Sequence, residues 1–368
     1  MESSLDFDLF FDLSNYSYIY NETHCDEYDG VHLIGPILLT LLTLAGVVGN
    51  FALLAVILST RHMRTAANVL IINLTIGDLF YIVCTAPFYI EREILPCADQ
   101  PLWVCKMQSF FPIVGQGACV YSLAALSRER YGAIVHGIQL RQGSGKLRNA
   151  LAVFIVWTVS FLIGIPVLMK AHKQSDTQCS ELPAFTTFAK VYQTCRLLFV
   201  YLIPLIVIAV YYARMAQTLI QSLKGFGDSR TGTHQTEARR KLAVIILVVT
   251  VFFGVFWFPY YVYIVWYQFS SDYIESQKYS SGGTSSLDIF RNFHYIMALI
   301  NSSLNPWCVF IMSSSYRRQL VQCICCGRFG KDTTTKTPTS SHCSGAPGGN
   351  KRRGSGGVSF TQITMTQL

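Results

Sequence analysis

Charge is scarce in this chain of 368 residues: only 14% are Asp, Glu, Lys or Arg, against about 25% in an ordinary soluble domain. The shortfall is concentrated in blocks. Lys and Arg are absent from residues 1–31, so the acidic start lacks the basic leader and apolar stretch of a signal peptide. The first apolar segment is therefore expected to target and insert itself. Catalytic motifs are missing too. No HExxH, paired catalytic carboxylates or Ser/His set falls in the apolar segments, and the His residues are scattered. The expectation is a protein that is not an enzyme. No internal repeat is found, which argues against the paired halves of a transporter or the repeated elements of a channel.

What the chain has is apolar runs, seven of them, at 32–60, 66–93, 102–135, 147–170, 190–224, 236–268 and 286–312. A run of about 20 apolar residues crosses a bilayer. Only helices or a closed barrel satisfy the backbone in lipid, and these runs are too long and too evenly apolar for barrel strands. The predicted fold is an all-α membrane protein, a seven-transmembrane helix bundle over 32–312. An odd number of spans puts the termini on opposite sides. Basic residues sit in alternate loops: Arg61 and Arg64; Arg141, Lys146 and Arg148; Lys224 to Lys241; Arg317 and Arg318. The positive-inside rule then predicts an extracellular N-terminus and a cytoplasmic C-terminus, in a multi-pass plasma-membrane protein. The net charge of +8 reflects these loops, and no nucleic-acid partner is expected.

Residues 1–31 read as a solvated, disordered tail with glycosylation sequons at Asn15 and Asn21. Tyr16, Tyr18 and Tyr20, beside Glu22, Asp26 and Glu27, are candidates for sulfation. Residues 313–326 read as a short amphipathic eighth helix on the membrane surface, with Tyr316, Leu320, Val321 and Ile324 on one face. Cys323, Cys325 and Cys326 stand where palmitate would anchor it to membrane lipids. Residues 327–368 are rich in Ser, Thr, Gly and Pro and read as a disordered cytoplasmic tail. Its hydroxyls are candidate phosphosites, and phosphorylation adds charge that a partner could read. Thr366-Gln367-Leu368 suits the carboxylate groove of a PDZ domain.

Within the bundle, Cys105 and Arg130 are about 37 Å apart along one helix, at opposite membrane faces. Cys25, Cys97, Cys105 and Cys179 are all external, and four cysteines allow three pairings. Cys105–Cys179 is the expected one, then Cys25–Cys97; the remaining cysteines are expected to be reduced. Asp78 is a charge in the middle of an apolar span. Asn50, Asn301, Ser302 and Asn305 can reach it, either to hold a small cation such as sodium or as a polar patch between helices. Pro87, Pro166, Pro204, Pro259 and Pro306 lie inside spans and free backbone carbonyls there. Trp257 two residues before Pro259, with Phe253 one turn away, suits a toggle at a hinge.

Taken together these residues resemble the rhodopsin-like family of G-protein-coupled receptors. The matching marks are Gly49-Asn50, Leu74 with Asp78, Trp103 before Cys105, Glu129-Arg130-Tyr131, Trp157, Pro204 with Tyr212, Phe253 with Phe256-Trp257-Phe258-Pro259, and Asn301-Ser302 before Asn305-Pro306. They fall one set per span. Within that family the chain resembles peptide receptors of the bombesin, endothelin and insect CCHamide group. Ile76-Gly77-Asp78-Leu79, Ala125-Leu126-Ser127, Ala243 after Arg239-Arg240-Lys241, and Asn301 through Phe310 carry that likeness. There are departures. Val309 stands where most of the wider family has Tyr, and the adjacent aromatic, Phe310, lacks the hydroxyl that would bond toward Tyr212 through water. Cys119 replaces a common Ser, which weakens a sodium site at Asp78. Glu129 replaces the commoner Asp.

The resemblance implies a receptor for an extracellular peptide. Ligand binding swings span six, Arg130 leaves Glu129, and a heterotrimeric G protein docks, with Gq and calcium release expected from the group. Pro112 and Leu299 occupy the places of the amine-binding Asp and the retinal-binding Lys, so neither ligand class fits. The residues expected to touch ligand are Gln116, Arg196, Tyr260, Tyr263, Tyr267, Arg291, Tyr295 and Glu93, with Arg196 either on the ligand or paired with Gln108 or Gln116. The switch set is Asp78, Glu129, Arg130, Tyr131, Tyr212, Phe253, Trp257, Pro259, Asn305 and Pro306. Alternatives are a lipid or small-molecule receptor, and a transporter or channel.

Overall fold

The computed structural model describes residues 34–63, 65–95, 98–135, 142–174, 179–225, 233–270 and 286–325. Asn15, Asn21, Cys25, Cys97, Cys326 and the tail ending in Leu368 lie outside them, as do the side chains of Arg291 and Cys325.

Among the described residues, seven helices are long and apolar enough to cross a membrane. Spans one to four are Ile34–Ser59, Ala66–Ile94, Leu102–Val135 and Gln142–Lys170. Span five runs from Thr187–Arg196 through a π-helical segment, Leu197–Leu202, into Ile203–Gly225. Spans six and seven are Thr233–Phe269 and Ser286–Met312. An eighth helix, Ser314–Cys325, follows. The expected apolar runs all lie within a few residues of these bounds. Spans four, five and six begin three to five residues earlier; in four and six polar residues extend the helix beyond the apolar run, and in five the Thr186 cap sets the start. Thr65 and Thr186 start spans two and five by accepting from the backbone N–H of Asn68 and Ala189 at 3.3 and 3.2 Å, a threonine cap in each case.

In lipid, apolar burial gives helices little reason to associate, so close packing and polar contacts must hold them together. Span three sits centrally and is the most enclosed. The Cβ that Gly115 lacks would stand 2.9 Å from Cβ of Tyr81 on span two, so only glycine permits that approach. Nδ2 of Asn73 donates to Ser122 at 2.7 Å, and the Trp157 indole donates to Oδ1 of Asn73 at 2.9 Å. That chain ties spans two, three and four.

The π segment has a backbone cause. Pro204 has no N–H to donate, and the N–H of Ile203 reaches back to Leu198 rather than Phe199. The orphaned Phe199 carbonyl accepts from the Tyr121 hydroxyl of span three at 3.0 Å. Near Pro259, the Tyr201 hydroxyl donates to the Gly254 carbonyl at 2.7 Å.

A two-residue hairpin, His172–Lys173 with Cys179–Ser180, lies between spans four and five. Cys179 is disulfide-bonded to Cys105, with Cα atoms 5.3 Å apart. The eighth helix is pinned by Tyr316, whose hydroxyl donates to Asn68 at 3.3 Å, and by Arg317, which donates to the Phe310 and Ile311 carbonyls ending span seven. Burial holds the Tyr316 phenol up to about 12, so it remains a neutral donor. Tyr316 and Leu320 turn toward the bundle with Cys323, whereas Val321 and Ile324 are exposed on the adjoining stripe. Cys323 is buried against the bundle.

Candidate functional site

At the disulfide end, the helices diverge around a cleft of about 560 Å³, open mouth included. Spans two, three, five, six and seven line it with Tyr81, Gln116, Arg196, Trp257, Tyr260 and Tyr295, and the hairpin adds Cys179 and Glu181. Gln116, Arg196, Tyr260 and Tyr295 are thus gathered as expected. Tyr263, Tyr267 and Glu93 are outside the lining. Tyr267 stacks on Phe185 of the loop with centroids 5.4 Å apart, and Tyr263 lies 5.9 Å from Tyr267. Glu93 is half-buried on the last turn of span two. Tyr81, Tyr89, Arg92 and Glu181 were not expected in the lining. Tyr81 and Tyr89 are eight residues apart on one helix, a spacing that puts both on one face and is the one signal that would have found them.

Arg196 corrects a second expectation. It pairs with neither Gln108 nor Gln116. Nη1 lies 3.2 Å from Glu181 and 3.1 Å from Oε1 of Gln193, and Nη2 donates to the Tyr260 hydroxyl. The guanidinium also lies over the Tyr260 ring, 5.2 Å from its centroid, a cation–π arrangement that strengthens when desolvated. Gln108 instead bonds Gln100 at 3.2 Å. The loop is held over the cleft by further contacts. Lys173 pairs with Asp99 at 2.6 Å, and the Phe185 N–H donates to Gln268 of span six at 3.0 Å. Phe185 has φ of 61°, a strained value for an aromatic residue.

Below the cleft a column of aromatics descends. Tyr81 meets Trp257 edge-on at 5.9 Å, and Trp257 lies 6.0 Å from Phe253. Beside it, Asp78 is wholly buried. Its carboxylate accepts from Asn305 at 2.8 Å and from the Cys119 thiol at 3.2 Å. Asn50 instead donates to the Gly46 and Ser302 carbonyls at 2.9 and 3.2 Å.

At the opposite end, Glu129 bonds Arg148 of span four at 2.6 Å, not the Arg130 expected from the resemblance. Arg148 reaches across from the neighbouring helix, and its guanidinium takes the carboxylate that would otherwise be free for Arg130. Arg130 itself is buried. The Tyr131 ring lies 5.3 Å from Tyr211. Tyr212 donates to the Ala243 carbonyl of span six at 2.9 Å. Val309 and Phe310 are both buried, and Tyr212 finds its partner without a hydroxyl from either. The geometry thus places an aromatic cleft at one end and a charged cluster at the other, with the Trp257 column descending from the cleft to Phe253.

The profile of the family described as 7 transmembrane receptor (rhodopsin family) matches residues 49–308. The neuropeptide CCHamide-1 receptor of Drosophila melanogaster is 30% identical over 311 residues, which cover 80% of this chain and 60% of that receptor. Galanin receptor type 1 of Mus musculus is 30% identical over 81% of this chain and 86% of its own length. The [Phe13]-bombesin receptor of Bombina orientalis is 27% identical over 88% and 83%.

Proposed function

Because this chain belongs to the rhodopsin family of seven-transmembrane receptors, we propose that it binds an extracellular peptide and passes that event to a heterotrimeric G protein. The observation that carries the reading is the cleft. It is lined by aromatics, roofed by the Cys179 hairpin and floored by the buried polar pair Gln116 and Arg196. Such a site suits the end of a peptide, with apolar walls and a few convergent polar groups. Relatives named as receptors for CCHamide-1, galanin and bombesin support the same class of ligand.

In this reading the disulfide end faces outward and the Arg130 end faces the cytosol, and the protein signals rather than catalyses. A peptide acts by preferring one packing of the Trp257 column over another, since it shifts states only through differential affinity. Gln116, Arg196, Tyr260 and Tyr295 contact it. Gq coupling with calcium release is the proposed output. Sodium near Asp78 is a proposed modulator, weakened by Cys119. Arrestin, receptor kinases and a PDZ-domain protein are proposed partners of the tail.

Calcium and cAMP signalling in cells expressing the chain, challenged with amidated and disulfide-cyclised peptides, tests this. A sub-micromolar response lost in Arg130→Ala supports it. Silence at confirmed surface expression, with a response to lipids or small molecules, would transfer the assignment to that ligand class.

A further inference from the structure

The cleft floor is charge-balanced without a ligand. Arg196 is 3% exposed, and its charge is met by Glu181. The third charged lining residue, Arg92, leans on the Tyr295 ring at 5.7 Å. It stands eleven residues along span two from Tyr81, about 16 Å by helical rise. Tyr81 touches Trp257, so Arg92 belongs to the mouth and Arg196 to the floor.

Among the described residues several buried polar atoms of the cleft lining have no hydrogen-bond partner: Nε of Arg196, Nε1 of Trp257, and both Nε2 and Oε1 of Gln116. Gln116 and Arg196 are more than nine-tenths buried, and all three residues line the cleft. Buried polar groups without partners are rare in folded proteins, and here the three residues that carry them line one cleft, with the unpartnered Tyr261 hydroxyl beside Gln116 and Arg196. The atoms of the lining comprise three donors and one acceptor.

A carboxylate entering this floor would supply only acceptors. It would also add a second anion beside a cation already neutralised by Glu181, and a buried uncompensated charge is strongly unfavourable. An ammonium group would meet Arg196. A carboxamide matches the set: its carbonyl accepts from Arg196, Trp257 or Nε2 of Gln116, and its N–H donates to Oε1 of Gln116.

We propose that Glu181 is the specificity-determining residue for the ligand's head group: by neutralising Arg196 it reserves the cleft floor for a carboxamide and rejects a carboxylate. The assignment rests on the reading above, that a peptide end enters this cleft.

The test uses the full chain in lipid nanodiscs, with N-acetyl-phenylalaninamide and N-acetyl-phenylalanine as paired probes whose affinities are read by saturation-transfer NMR. The wild type is expected to prefer the amide by about tenfold or more. In Glu181→Gln, Arg196 loses its counter-charge, and the preference falls to parity or reverses. Glu181→Asp, which keeps the charge, retains the wild-type order. Equal binding of both probes to the wild type, no binding of either at millimolar concentration, or an unchanged ratio in Glu181→Gln would overturn the proposal. The wild-type ratio decides the matter even where a variant fails to fold. Peptide-evoked signalling separates the two readings. Signalling with an unaltered probe ratio removes the Glu181 assignment and leaves the receptor, and the expected ratio without signalling does the reverse.

Discussion

Glu129 on span three and Arg148 on span four are joined at 2.6 Å, although Glu129 sits beside Arg130 in the chain. Arg148 is 37% exposed and Glu129 9%, so the pair is partly solvated. A double-mutant cycle of Glu129→Gln and Arg148→Gln, read by thermal unfolding, should return a coupling of about 0.5–1 kcal/mol. Removing Arg148 frees Glu129 to turn toward Arg130. Arg148→Ala should therefore lower basal signalling, and a rise would count against this arrangement.

The Tyr121 hydroxyl satisfies the carbonyl that the π segment orphans at Phe199. Tyr121→Phe leaves it without that donor in an apolar setting. The expected loss is about 1 kcal/mol, seen as a lower midpoint in detergent. An unchanged midpoint would mean that the π segment does not depend on this bond.

Gly115 and Gly132 lie on one helix and should respond oppositely to alanine. At Gly115 the added methyl meets Tyr81 Cβ at 2.9 Å and Tyr81 Cα at 3.1 Å; at Gly132 it meets nothing within 4 Å. Gly115→Ala should cost about 1–3 kcal/mol through overpacking and reduce surface expression. Gly132→Ala should stabilise by about 0.5–1 kcal/mol through helix propensity. Midpoints of the two purified variants check both signs.

The Cys119 thiol donates to Asp78 at 3.2 Å. A hydroxyl there is smaller and a better oxygen ligand for a hard cation. Cys119→Ser should therefore steepen the dependence of peptide affinity on sodium concentration. Binding isotherms in sodium and in an organic-cation buffer measure it, and identical shifts in both proteins would dismiss a cation role for Asp78.

The spans were legible because length, hydropathy and order along the chain encode them locally; the Cys105–Cys179 bond, between residues 74 apart, was one of three pairings open to the external cysteines. The partner of Arg196 was not legible. Its position inside an apolar run announced a buried cation, but Glu181 lies on an irregular loop with no periodicity to say where it points. Arg148 escaped notice for a related reason, since it read as one basic loop residue among several. The π segment left only Pro204 as a trace, and proline alone does not distinguish a kink from a widened turn. Burial of Cys323 was hidden because its helix is amphipathic toward two environments at once, the bundle and the lipid.

The hairpin loop is fastened to three helices: to span three by Cys105–Cys179, to span five by Glu181–Arg196, and to span six by Phe185, which meets both Gln268 and the Tyr267 ring. Three fixed points define a plane. A tilt of span six relative to the other two must tip that plane, or break the fastening at span six, the Gln268 hydrogen bond and the Tyr267 stack. The loop is in this sense a gauge of helix position, read at the cleft mouth. Coupling between sites is reciprocal, so whatever wedges span six at the Arg130 end must also reset the height of Glu181 above the floor.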